Sequence, residues 1–213
     1  VLTVDRRGFD RRPVLRATGA SRRSAPPGVT RVAPRPSFVP AEVPIREAAT
    51  VALVRDARHG GGVEVFLQHR VSTMQFAAGM SVFPGGGVEP RDRSPGRAWR
   101  GPGPAWWADR FGVSPVRAAA AVWGVARELF EETGVLLAEP EAPGVGGPGT
   151  VRDLSAGSGP DLPGEPERRA LDAGEGDLSG LLARHGLVLS AHLLRPWDRW
   201  TTPVGPARRC RPT

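Results

Sequence analysis

At 213 residues the chain is long enough for one domain with a real core and too short for two generous ones. Its formal charge of +7 does not mark a nucleic-acid-binding protein, because residues 1 to 40 hold nine arginines against Asp5 and Asp10, which accounts for the whole excess. A single cysteine, Cys210, excludes a disulfide framework and multi-cysteine zinc sites and fits a reducing cytoplasm; no apolar run approaches the roughly 18 residues of a membrane span, so a soluble cytoplasmic protein without a membrane partner is expected.

Residues 1 to 40 combine Arg, Pro, Ser and Gly with few large apolar groups. Such a segment cannot bury enough surface to offset the entropy of ordering, and it reads as a disordered basic arm. No aromatics are interleaved for base stacking, so no nucleic-acid partner is expected. Order is expected from about residue 46. Ala48-Ala49-Thr50-Val51-Ala52-Leu53-Val54 reads as a buried strand, residues 58 to 62 as a turn and residues 63 to 70 as the return strand of a hairpin. Residues 80 to 83 read as a third strand running into Pro84-Gly85-Gly86-Gly87, a composition suited to unusual backbone conformations.

Residues 93 to 113 are rich in Pro, Gly and Trp and read as an inserted loop packing Trp99, Trp106 and Trp107 on itself, with a cap over a pocket as the alternative. Ser114-Pro115 then supplies an N-cap followed by proline at the first helical position, which predicts a helix to Thr133 with Gly134 as its stop. Residues 140 to 166 read as a flexible linker. Helical patterning resumes near Glu167 and is expected to continue to about residue 195, and a short disordered tail closes the chain at residues 207 to 213.

The informative segment is Arg127-Glu128-Leu129-Phe130-Glu131-Glu132-Thr133-Gly134-Val135. Glu128, Glu131 and Glu132 stand at i, i+3 and i+4, which gathers three carboxylates on one turn while Val122, Val125 and Leu129 face the core. They occupy the last turn of the helix, where the backbone dipole makes further negative charge unfavourable. Selection for stability alone would put Lys or Arg there, so function overrides propensity at this point. A bound divalent cation would resolve the conflict, and carboxylate oxygens without nearby Cys or His suit magnesium or manganese. Arg127 is spaced to pair with Glu131 one turn on, fixing its rotamer. An acidic cluster of this kind is by itself more often a solvated face; the glycine run before it and the helix-ending glycine after it set this one apart.

Together Phe83-Pro84-Gly85-Gly86-Gly87-Val88-Glu89 and the segment from Arg127 to Val135 resemble the box of the Nudix hydrolase family: Gly, five residues, Glu, seven residues, Arg-Glu-aliphatic-x-Glu-Glu-x-Gly-aliphatic. Gly86 would be its first glycine. Asp92 stands where its isolated glutamate is expected, separated from Arg127 by 34 residues where the box has seven. An insertion at that point resembles the subgroup that includes peroxisomal coenzyme A diphosphatases. Phe66-Leu67-Gln68-His69-Arg70, Gly79 and Phe83-Pro84-Gly85-Gly86 are similar to that subgroup's coenzyme A signature, with Gln75 where an arginine is expected; Trp200-Thr201-Thr202-Pro203 is similar to a later landmark.

The resemblance implies an α/β/α Nudix sandwich with a mixed β-sheet over residues 41 to 206, an insertion before the catalytic helix and a small helical one after it. It implies a metal-dependent hydrolase of a diphosphate linkage in a nucleotide derivative, coenzyme A or acyl-coenzyme A first, and an ADP-ribose or ADP-sugar as the alternative. Glu128, Glu131 and Glu132 would be the ligands of Mg2+ or Mn2+, Gly86 would add a backbone carbonyl, and Arg127 would orient the cluster. Glu128 and Glu131 would act in catalysis, Glu128 as candidate general base. Gly85, Gly86 and Gly87 would lie against the substrate. Arg70 is a candidate phosphate contact, with a solvated surface role as the alternative. The subgroup continues past its Trp-x-Thr-Pro landmark into further strands where this chain has Ala207-Arg208-Arg209-Cys210 and ends at Thr213, so the resemblance also implies a missing C-terminal portion, with a non-catalytic remnant as the other reading. The oligomeric state is left open.

Overall fold

A computed structural model describes residues 2–5, 46–57, 60–70, 79–93, 99–142, 151–153 and 162–199. The chain opens with β1 (Leu2–Asp5), β2 (Ala48–Asp56), β3 (Val63–Val65), β4 (Gln68–His69), β5 (Ser81–Val82) and β6 (Gly85–Gly87). A 3-10 turn at Pro90–Arg93, β7 (Trp99–Arg100), α1 (Pro104–Phe111) and α2 (Pro115–Thr133) follow. Then come β8 (Val135–Pro140), β9 (Val151–Asp153), α3 (Glu165–Asp172), α4 (Leu178–Arg184), β10 (Leu187–Ser190) and β11 (Leu194–Pro196).

Two larger sheets result. One runs β11-β1-β2-β3 with β6 also on β2, the other β7-β10-β8-β9, and β4 with β5 forms a separate ribbon. Both larger sheets mix directions: β1 is parallel to β2 and β3 antiparallel to it, while β10 is parallel to β7 and antiparallel to β8. Alternation along β2 buries Ala49, Val51 and Leu53, the pattern of a strand with one face on the core. In β8 the residues Val135, Leu136, Leu137 and Ala138 are all buried, as in a strand covered on both faces.

Helix α2 is the element both sheets share, since it packs against β2, β6 and β8. Ser114 Oγ accepts the Arg117 amide at 3.4 Å, Pro115 opens the helix, and Gly134 ends it at φ +71° with its amide donated to the Phe130 carbonyl at 2.8 Å. Val122, Val125, Leu129 and Phe130 are fully buried. The predicted helix and both of its ends therefore stand as read.

Several expectations change. The start of the arm is not without structure, because Leu2–Asp5 pairs in parallel with β2 and antiparallel with β11. The expected return strand stops at Val65: Gln68–His69 turns away to pair with Ser81–Val82, so the hairpin with β2 is shorter than its apolar run suggested. The tryptophan-rich excursion contains a helix, α1, on the core. Trp107 is wholly buried against Trp106 and Phe111 at ring separations of 4.8 and 5.9 Å, and its indole N–H, like that of Trp99, donates to the Pro102 carbonyl. Finally, helix does not extend to residue 195, because buried Leu187 and Leu189 alternate with the less buried Val188 and form strand β10 beside β8.

Part of the expected linker, Val151–Asp153, is a strand on β8. Residues 6–45, 71–78 with Gln75, 143–150, 154–161 and 200–213, with the Trp200 landmark, the tail and Cys210, lie outside the described residues. Among the described residues no helix is long and apolar enough to cross a membrane.

Candidate active site

The C-terminal half of α2 faces β6, the extended glycine run Gly85–Gly87, which pairs with Ala48, Ala49 and Thr50 of β2. Gly85 takes φ +147°, and a Cβ there would lie 2.6 Å from Thr50 Cα, so the position admits no side chain. A Cβ on Gly86 would lie 2.5 Å from Glu128 Cδ and 2.6 Å from Glu128 Oε2. The glycines thus let α2 bring a carboxylate directly onto main chain. The Gly85 amide donates to Glu132 Oε2 at 2.9 Å, so Glu128 and Glu132, one turn apart, both lean on this bend.

Glu131 shares Arg127 with Glu128 and takes a second guanidinium. Its Oε2 accepts Arg127 Nη1 at 2.7 Å and its Oε1 accepts Arg91 Nη2 at 3.1 Å. The structure therefore brings the Glu128–Glu132 pair to the glycine bend and holds the Glu131 carboxylate between two guanidiniums. Among the described residues no group of three or more His, Cys, Asp or Glu side chains stands arranged to hold a metal ion.

Arg127 organises the interior side of the site. It is 1% exposed; Nε and Nη2 donate to Asp92 Oδ1 and Oδ2 at 2.9 and 3.0 Å, Nη1 to Glu128 Oε1 at 3.0 Å, and Nη2 also to the Gly87 carbonyl at 2.9 Å. The spacing-based Arg127–Glu131 pair is present, and the bidentate grip on Asp92 adds the geometry that makes a buried ion pair hold. Asp92 also accepts the Glu89 amide at 2.8 Å. The residue that stood in for the box's glutamate is thus a buried anchor that joins the segment after the glycine bend to the helix, despite 34 intervening residues.

Electrostatics single out the cluster. Helix α2 carries no basic residue in its last turn. Burial would lower the Arg127 pKa, yet hydrogen bonds and attraction from Asp92, with Glu128 and Glu131, raise it well above the usual value. Burial pushes the Glu131 carboxyl up to about 7 against the pull of Arg127 and Arg91, and Glu128 adds repulsion. Glu128 is also raised, by burial first, with Arg127 opposing and Glu89 and Asp92 adding to it. Glu132 reaches the surface, yet the protein around its carboxylate raises it too, against the Gly85 amide and Arg70. Carboxyls that resist ionising together sit where added positive charge would be welcome.

Arg70 lies at the end of β4, near enough to Glu132 to draw that carboxyl down, and its Nε is buried without a hydrogen-bond partner. Its main chain closes the β4–β5 ribbon through Met80 and Gly79. Two residues escaped the sequence reading. Arg91 had one visible signal, its place beside Asp92 in a Pro-Arg-Asp-Arg turn. Arg168 of α3, which donates to the Glu131 carbonyl, had none, because nothing local ties it to a helix 37 residues away.

No protein-family model and no curated protein matches this chain. Among solved structures it is similar to a NUDIX hydrolase from Alicyclobacillus acidocaldarius, at 29% identity and a TM-score of 0.53, over 76% of this chain and 64% of that one. The chain thus spans less than two thirds of the length of that neighbour. The likeness supports the Nudix hydrolases as the family to which the motif points and agrees with a mixed α/β fold.

Proposed function

We propose that this chain is a metal-dependent hydrolase that cleaves the diphosphate linkage of a nucleotide derivative, with coenzyme A or its acyl derivatives as substrate. The observation that carries the reading is the Glu128–Glu132 pair leaning on the Gly85–Gly86 bend at the anionic end of α2. The similar NUDIX hydrolase supports the reaction class. The coenzyme A assignment rests on the resemblance of Phe66 to Gly86 to the subgroup signature.

The donor set fits Mg2+ or Mn2+. Two carboxylates stand one helical turn apart against the main chain of a glycine strand, and the raised Glu128 and Glu132 carboxyls mark a shortage of positive charge. Glu128 and Glu132 would hold the ion, with the Gly86 carbonyl beside them. When bound it would offset charge on the phosphoryl oxygens and acidify the attacking water. In this reading Arg127 keeps Glu128 and the glycine bend in register, and Gly85, Gly86 and Gly87 admit the diphosphate close to main chain. Arg70, beside Glu132, is the phosphate contact through its guanidinium charge, and Glu128 is the proton acceptor. Water adds to phosphorus, the bridging P–O bond breaks, and two phosphate monoesters leave with the released proton.

The test is turnover of coenzyme A and ADP-ribose by the full chain with Mg2+ or Mn2+, followed by phosphorus NMR. Turnover that falls by roughly a hundredfold or more in Glu132→Gln supports the reading, on the scale expected for losing a charge-stabilising group. Cleavage of ADP-ribose but not coenzyme A would remove the substrate assignment and keep the reaction. No cleavage of either by folded protein would end both.

A further inference from the structure

Residues Arg91 and Asp92 are neighbours in the 3-10 turn Pro90–Arg93, and each answers a charge on α2. Asp92 takes Arg127, and Arg91 gives Nη2 to Glu131 Oε1 at 3.1 Å; Arg127 and Glu131 are themselves joined at 2.7 Å. Two ion pairs are thereby crossed and locked. Arg91 does more than complete the set. Its Nε donates to Glu89 Oε2 at 2.6 Å, and its Nη1 donates to the carbonyls of Leu171 at 2.8 Å and Gly176 at 3.3 Å, in the corner between α3 and α4. Helix α3 reaches back through Arg168, which is paired with Glu165 and donates to the Glu131 carbonyl.

Glu131 is consequently held at three points: one carboxylate oxygen by Arg127, the other by Arg91, and its main chain by Arg168. It is 6% exposed, and Arg91 is 17% exposed. A carboxylate with a guanidinium on each oxygen has little left to offer a cation. Glu128 and Glu132 differ in kind. Among the described residues, Glu132 receives the Gly85 amide with Arg70 nearby, and Glu128 shares Arg127 with Glu131.

We propose that Arg91 is a positioning residue that commits Glu131 to the scaffold, using the α3–α4 corner as its backstop, so that cation binding falls to Glu128 and Glu132. The inference rests on the metal-dependent reading above. It gives the segment after the linker a task, because the corner that orients Arg91 is built from Leu171 and Gly176.

Manganese binding to the full chain, followed by electron paramagnetic resonance without substrate, tests it. In Arg91→Gln a carboxylate oxygen of Glu131 is released towards the cation, so Mn2+ should bind roughly tenfold tighter, the size expected for one unscreened charge several ångströms away. A merely structural role would weaken binding instead. Arg91→Lys keeps the positive charge and should bind Mn2+ as the wild type does. In a Glu131→Gln background the effect of Arg91→Gln should vanish, since its route is gone. Unchanged or weaker Mn2+ binding by a folded Arg91→Gln chain overturns the inference, as does tightening that persists undiminished without Glu131 or that also appears in Arg91→Lys. If Arg91→Gln does not unfold cooperatively on heating, single variants decide: Glu131→Gln should keep Mn2+ binding that Glu132→Gln loses, and equal loss in both overturns the inference. A wild-type chain that binds no Mn2+ at all would instead remove the metal-dependent reading, and this inference with it.

Discussion

The two ends of α2 solve opposite charge problems. Near its start, one carboxylate, Glu47, receives two guanidiniums: Arg93 Nη2 at 2.5 Å and Arg117 Nε. Near its end, one guanidinium, Arg127, serves Asp92, Glu128 and Glu131 together. Burial would raise the Glu47 carboxyl, yet the hydrogen bonds and charges of Arg93 and Arg117 outweigh it and hold it below the usual value. At the far end the same burial wins, and Glu128, Glu131 and Glu132 are all raised. A cluster with cations to spare is finished as it stands and serves only the fold. A cluster short of cations has room for chemistry, and here the shortage coincides with a stretch of α2 that glycine main chain approaches closely.

The sharpest way to break that comparison is to remove the cation that the anionic end does have. Arg127→Ala would leave Asp92 and Glu131, both buried, without their principal partner. Breaking a buried pair from one side costs about 3–5 kcal/mol, so urea denaturation should show a large fall in midpoint. A loss below about 1 kcal/mol would mean that Arg127 is no linchpin. Gly86→Ala should act differently. The added methyl meets the end of a flexible side chain, the Glu128 carboxylate, and that group can swing aside while the fold survives. Thermal unfolding should change little, whereas turnover should fall by roughly 10- to 100-fold, the range for a displaced ligand or its support. If stability drops and activity per folded molecule does not, the close approach is only a packing contact.

Legibility followed the same division. Helix α2 could be read to its ends because its signals are local: Ser114 and Pro115 at the start, Gly134 at the stop, and apolar residues at helical spacing between them. The role of Arg127 towards Glu131 was readable for the same reason, being one turn long. What spacing could not reveal was which carboxylates share a partner. Glu128, Glu131 and Glu132 have equal standing on a helical wheel, and only the return of Arg91 and Arg168 from distant segments separates the second from the others. Misread elements failed for related reasons. The run Val63 to Arg70 is apolar enough for one strand, but its second half finds its partner in Ser81–Val82. Leu187 and Leu189 fit either period until β8 supplies a neighbour.

The smallest expected effect tests the other end of the helix. Glu47→Gln should cost about 1 kcal/mol near neutral pH, because its pairs with Arg93 and Arg117 are only partly buried. Its folded pKa lies below the 4.5 of an ordinary glutamate, so the wild-type carboxylate contributes stability above that value and loses it as pH falls through the lowered folded pKa. The gap in melting temperature between wild type and Glu47→Gln should therefore be constant from about pH 6 to 8 and close in acid, below the ordinary glutamate range. A gap that stays open at the lowest pH where both chains still fold would mean that Glu47 acts through shape and not through charge. The finished, cation-rich cluster would then be no electrostatic counterpart to the anionic end.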